Sequence, residues 1–214
     1  TLRVRAATPS AFRDGAVIYD QYVAGLDVTR QFDVFQSLNL AFGVEGRREG
    51  YKIVAGELAS YGYPATGAVA GAAPGAQGFG GFSPLNETER SRRSGSVYVD
   101  VEAQLTDKLL VGIAGRGEEY SDFGSTATGK LSARYDFAPW LAIRGTASTG
   151  FRAPSLQQQY FTQIASVVTN GVPILTGTVP SVSDIGAALG GLPLEPEKST
   201  NLSIGTVIRA GGFD

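Results

Sequence analysis

The chain has 214 residues, 43% hydrophobic and 18% charged, with 29 Gly, 10 Pro and no Cys, Met or His. Lacking imidazole and thiol, it can build no Ser/His/Asp triad, Cys nucleophile, zinc finger or disulfide from its own residues. A formal charge of −2 leaves no basic footprint for nucleic acid, and no run reaches the roughly 18 apolar residues of a membrane-spanning helix; no residue set points to catalysis, a resident metal or a cofactor.

Taken in chain order, period-2 alternation predicts strands over residues 16–29, 37–47, 96–106, 108–117, 127–137, 140–150 and 197–209. One face of the first holds Tyr22, Ala24, Leu26 and Val28, and of the second Leu38, Leu40, Phe42 and Val44. Val97, Val99, Val101, Ala103 and Leu105 follow, then Leu109, Val111 and Ile113. Leu131, Ala133, Tyr135 and Phe137, then Leu141, Ile143, Gly145 and Ala147, then Leu202, Ile204, Thr206 and Ile208 complete the set. These faces carry no charge, whereas the opposite faces hold Asp27, Glu45, Asp100, Glu102, Arg116, Lys130, Arg134, Asp136, Arg144 and Arg209. The fold class is therefore all-β.

Alternation alone suits a soluble β-sandwich or adhesin-like module as well as a barrel. Connection lengths favour the barrel. Short links at Arg30–Gln36, Thr106–Asp107 and Ala138–Pro139 alternate with long loops at 48–94, 118–126 and 151–195, the asymmetry of an up-and-down antiparallel meander in an outer-membrane barrel. Phe32, Phe35, Phe137 and Trp140 sit beside the short links, where an interfacial aromatic girdle belongs. Setting the two longest loops aside leaves chain for about eight strands. Loops so long are out of proportion to so small a barrel, and Ala210–Asp214 read as a turn into a further strand, so residues 1–214 are expected to be one partial barrel domain, processed or excised from something longer.

Two segments carry a family resemblance. Gly150, Phe151, Arg152, Ala153, Pro154 and Ser155, and then Leu194, Glu195, Pro196, Glu197, Lys198, Ser199, Thr200 and Asn201, resemble paired motifs in the C-terminal half of TonB-dependent outer-membrane receptors. Ala41–Glu45 with Arg47, Arg48 and Glu49 is similar to another strand of that family, and Tyr120–Gly124 to a loop following it. Gly46 and Gly117 stand where the family commonly has an aromatic residue, and Glu195 where it has Lys. The resemblance implies a 22-stranded transmembrane barrel in the cell outer membrane of a Gram-negative bacterium, plugged by an N-terminal domain. It further implies uptake of a scarce nutrient, a siderophore, vitamin, metal complex or oligosaccharide, driven by the TonB complex through a plug and TonB box absent from this chain. Outer-membrane lipid and a small nutrient ligand are then the partners. A passive porin is the alternative that shares the alternation.

Pro154 lacks an amide donor and is expected to end ladder pairing; Arg152 continues the register of Arg144, and pairing with a wall carboxylate is its expected role. Candidates for facing a ligand are Tyr61, Tyr63, Phe79, Phe82, Tyr120, Arg144 and Arg152, because aromatic rings offer contact area at low entropic cost. The Gly/Ala-rich stretch 65–82 lacks the Gly-Lys-Ser/Thr of a phosphate cradle and reads as loop. Glu118, Glu119 and Asp122 crowd one loop but read as solvated acids rather than a Ca²⁺ site, and Asn86-Glu87-Thr88 is a formal glycosylation sequon.

Overall fold

A computed structural model of the chain describes residues 9, 11–62, 80–169 and 172–209. Among the described residues, nine strands run in the order β1 (Gly15–Phe32), β2 (Ser37–Ala55), β3 (Thr88–Thr106), β4 (Leu109–Tyr120), β5 (Gly124–Ala138), β6 (Leu141–Arg152), β7 (Gln163–Thr169), β8 (Val172–Thr178) and β9 (Glu197–Ile208). Short helices α1 (Leu58–Tyr61), α2 (Leu156–Tyr160) and α3 (Asp184–Ala188) and one 3₁₀ turn at Pro84–Asn86 lie in the connections. Seven strands form one sheet in the order β1-β2-β3-β4-β5-β6-β9, and β7 pairs only with β8. No helix among the described residues is long and apolar enough to cross a membrane; strands can cross on their own terms.

Residues 48–55 and 88–94, expected in a loop, continue as β2 and β3, which each reach 19 residues, and β1 reaches 18 by running through Arg30–Phe32 of the expected short link. Alternation weakens there because Arg, Glu and Ser occupy both faces, which leaves no hydrophobic period to mark a strand. The expected loop 118–126 shrinks to Ser121–Phe123, since the β4–β5 ladder runs to Tyr120↔Gly124. Gly124 takes φ +84° there, a conformation open to glycine at little cost.

Two compact units divide the chain. The described residues of Tyr22–Arg48, Arg92–Ala153 and Glu195–Asp214 make up the ladder unit. Its cross-strand partners line up in rows that are alternately free of charge and charge-bearing. Val101, Ile113, Leu131, Ala147 and Leu202 form one row, and Ala103, Val111, Ala133, Gly145 and Ile204 the next. Between them on the other face run Asp100, Ala114, Lys130, Ser148 and Asn201, then Glu102, Gly112, Ser132, Thr146 and Ser203, then Gln104, Leu110, Arg134, Arg144 and Gly205. The apolar rows stay uncovered: Ile113 is 60% exposed, Leu131 54%, Leu202 80% and Ile204 86%. A sandwich would bury that face, and here Val99 is exposed and Leu38 and Leu141 only half-buried.

At the short-link end Phe35 is 66% exposed, Trp140 56% and Phe137 52%, and Arg30 lies over the Phe32 ring. Thr106 Oγ1 accepts the N–H groups of Lys108 and Leu109 to close the β3–β4 turn. Above Lys130↔Ser148 the β5–β6 ladder stops, although β4–β5 and β6–β9 continue. Gly129 N donates there to Thr149 Oγ1 at 3.0 Å, a side chain standing in for a backbone acceptor.

The other unit comprises the described residues of Thr1–Gln21, Glu49–Ser91 and Pro154–Leu194. Its core is Tyr51, Ile53, Phe82 and Leu156, with Tyr160 and Phe161 against it. Each such side chain contributes about 1.5–3 kcal/mol by leaving water. Leu156 enters that core from α2, whose N-cap Ser155 accepts from Gln158 N while Gln158 Oε1 accepts from Ser155 N.

Candidate functional site

The two motif segments come together as ladder neighbours. Gly150 pairs with Ser199, Phe151 with Lys198 and Arg152 with Glu197. A Cβ at Gly150 would lie 2.9 Å from Ser199 Oγ, so a larger residue there would have to turn that hydroxyl aside. Asn201 donates to that same hydroxyl, at 3.3 Å. Arg152 lies 3.9 Å from Glu197 with both side chains exposed, a pairing worth at most about 1 kcal/mol. Pro154 follows as a buried residue and Ser155 caps α2. Leu194 is 39% exposed and precedes Pro196, after which β9 opens at Glu197.

A chain of charges crosses the polar face from β2 to β4. Glu45 binds Arg47 at 3.0 Å and lies 3.7 Å from Arg116; Arg116 binds Glu118 at 2.7 Å; Tyr120 Oη donates to Glu118 at 2.8 Å. Arg92, 4% exposed, lies over the Tyr120 ring and 3.5 Å from Asp122. Burial, aided by the Glu118 carboxylate, pushes the Tyr120 phenol up to about 12. Arg92 escaped the sequence reading because it lies within the stretch taken as loop, where no face could be assigned; its two-residue spacing from Ser94 and Ser96 was the available signal.

Further along that face Tyr98 donates to Asp27 at 2.7 Å, and Arg134 holds Asp136 through two bonds of 3.1 and 2.8 Å. Arg144, opposite Arg134, has its side chain over Gly205, where a Cβ would stand 3.3 Å from Nε. Tyr98, Asp100, Arg116, Lys130 and Ser148 line a concavity of about 430 Å³. In the core unit, Lys52 and Glu89 bond at 2.8 Å, and this bond raises the lysine pKa and lowers the glutamate's.

The other candidates fall in different settings. Tyr61 ends α1 half-buried. Phe82 is 7% exposed, its ring edge-on to Phe161. Tyr120 stacks on Phe123 at 4.4 Å and meets Phe151 edge-on at 6.0 Å. Tyr63 and Phe79 lie outside the described residues, as does the expected turn at 210–214. The acids once grouped together have separate partners: Glu118 takes Arg116 and Tyr120, Asp122 takes Arg92, and Glu119 takes the Ser125 hydroxyl. Asn86 is fully buried in the Ser83 capping box, its Oδ1 accepting from Ser83 N at 2.6 Å.

An open antiparallel meander with one charge-free, uncovered face and one polar, ion-paired face is a stretch of transmembrane β-barrel wall. The family model described as TonB dependent receptor-like, beta-barrel, matches residues 3–214, and the chain belongs to that family. Among solved structures it is similar to the siderophore receptor PirA from Pseudomonas aeruginosa, with a TM-score of 0.63 and 17% identity over 92% of this chain and 31% of that one. PirA from Acinetobacter baumannii gives 0.60 and 15% over 91% and 25%. A mutant of the ferric enterobactin receptor PfeA from Pseudomonas aeruginosa gives 0.61 and 13% over 92% and 25%. The chain thus spans less than a third of these receptors' length. No curated protein matches it.

Proposed function

We propose that this chain is part of the wall of an outer-membrane receptor that takes up a scarce nutrient with energy supplied through TonB. The observation that carries the reading is the pair of opposed faces: uncovered apolar rows free of charge, backed by rows holding the Glu45, Arg116, Glu118 and Arg134, Asp136 pairs. Acyl chains solvate the first kind of surface and not the second. The apolar face meets lipid, and the polar face lines a lumen that the plug of a 22-stranded parent barrel fills. The long connections 56–87 and 153–196 belong at the extracellular mouth, with Tyr61 and Arg152 turned toward the ligand, while Tyr120 and Phe82 hold the wall and loop in place by packing. Similarity to PirA and PfeA, named as siderophore and ferric enterobactin receptors, favours an iron chelate over a vitamin or oligosaccharide.

The test uses the full-length protein in a Gram-negative host. It is expected in the outer-membrane fraction, and uptake of radiolabelled ferric siderophore is expected to stop when TonB is deleted. Recovery as a soluble periplasmic protein overturns the wall assignment; membrane residence with uptake indifferent to TonB leaves a passive porin.

A further inference from the structure

Arg144, a candidate for facing a ligand, lies instead near the start of β6, at the short-link end of the polar face. Its neighbours on that face can be named in full. Arg134 stands directly opposite on β5, with Ser132 and Asp136 in the rows to either side. Gly205 stands opposite on β9, with Ser203 and Val207 to either side, and Ala142 and Thr146 flank it on β6 itself. Asp136 is the one acid among them. Arg134 already holds it through bonds of 3.1 and 2.8 Å, and Arg209 lies 3.7 Å from it. Lys108, whose carbonyl accepts the Asp136 N–H, adds a further positive charge at this end.

The Arg144 guanidinium leans the other way, over β9, where a Cβ on Gly205 would stand 3.3 Å from Nε. It has no hydrogen-bond or ion-pair partner among the described residues. Directly opposed like charges destabilise a sheet, and a charge shut away from water without a partner is costly. In a lumen filled by a plug, Arg144 loses its water while the acid beside it is already taken. Ser132, Thr146, Ser203 and Gly205 around it are small, so a segment inside the lumen can come close to the guanidinium.

We propose that Arg144 takes a carboxylate of the plug, an Asp or Glu side chain brought against β6 and β9 at the periplasmic end of the lumen, and so latches plug to wall there. A guanidinium offers a carboxylate two parallel N–H groups, and the added negative charge offsets the excess of arginines around Asp136. The chain spans less than a third of the receptors it is similar to, so the carboxylate comes from outside it. This contact rests on the polar face lining a plugged lumen, and it fixes the sign of the plug surface at this point.

The test uses the full-length receptor, detergent-solubilised, in the R144K variant. A carbodiimide condenses a lysine amine with a carboxylate where the two are in contact. Peptide mass spectrometry is expected to find the amine at position 144 joined to an Asp or Glu of the plug at least fivefold more often than to any other carboxylate. A join chiefly to Asp136 or to another strand of the wall, or no join in folded R144K, overturns the proposal. Shift of the unheated band on a denaturing gel checks folding. Should R144K not fold, phenylglyoxal labelling of wild type decides. Arg144 is then expected to react at least fivefold more slowly than Arg152, whose pairing with Glu197 is exposed; equal rates overturn the proposal. Absence of a plug domain from the full-length protein, or its recovery in the soluble periplasmic fraction, would instead mark failure of the receptor reading itself.

Discussion

At Gly43 a side chain has nowhere to go: a Cβ would lie 2.5 Å from Asp27 Oδ1, 2.6 Å from Tyr98 and 2.7 Å from the Leu26 carbonyl. Gly43→Ala must break the Tyr98–Asp27 bond or shift β1, and a loss of about 1–3 kcal/mol is expected, read as a lower urea midpoint of the refolded full-length barrel. Tyr51 behaves oppositely. It is buried with its hydroxyl unpartnered, and burial raises its pKa. Tyr51→Phe removes an unsatisfied donor and is expected to be neutral or stabilising in the same titration. Tyr120, at the loop end of β4 beyond the spanning rows, holds its proton up to about pH 12 against an ordinary 10.0. Between those pH values an unfolded chain releases that proton and the folded one keeps it. The contribution is therefore complete below pH 10 and lost as pH climbs through 12. Tyr120→Phe is expected to flatten this part of the stability profile and remove the latest phase of tyrosinate absorbance.

The elements divide according to what their sequences reveal. Strands β3 to β6 and β9 were legible because Val, Leu and Ile recur every second residue against Asp, Lys and Arg, and the motif Gly150–Ser155 could be matched to Leu194–Asn201 before their pairing was known. The upper halves of β2 and β3 were not, since Arg47–Lys52 and Glu89–Ser94 put polar groups on both sides. Helix α2 was missed although Ser155 and Gln158 form the Ser-x-x-Gln capping box that marks a helix start. Pro154, just before the cap, signals the end of a strand as strongly as Ser155 signals the start of a helix, and a single helical turn is too short to show a period. Leu156 is 1% exposed, so Leu156→Ala is expected to cost about 2–5 kcal/mol of local stability, and Ser155→Ala about 1. Faster limited proteolysis within residues 153–196, with outer-membrane assembly retained, is the measurement.

For the molecule as a whole, neighbouring positions should have opposite tolerances. Leu131 lies in the row of Val101, Ile113, Ala147 and Leu202, whereas Ser132 lies between Gly112 and Thr146. Leu131→Arg is expected to cost about 2–4 kcal/mol if acyl chains face it at mid-depth, and to lower the folded fraction in outer membranes. Ser132→Arg, facing the polar side, is expected to assemble near normally. Equal effects of the two changes would contradict the orientation of the sheet.

The break above Lys130 and Ser148 gives this wall a grain. Below it, alternate amides of β5 and β6 are held by hydrogen bonds across the seam; above it, Ser125–Thr128 pair only with β4 and Gly150–Arg152 only with β9. Deuterium should therefore enter first along those facing borders, splitting the rim into two panels that can tilt apart without unzipping the band beneath.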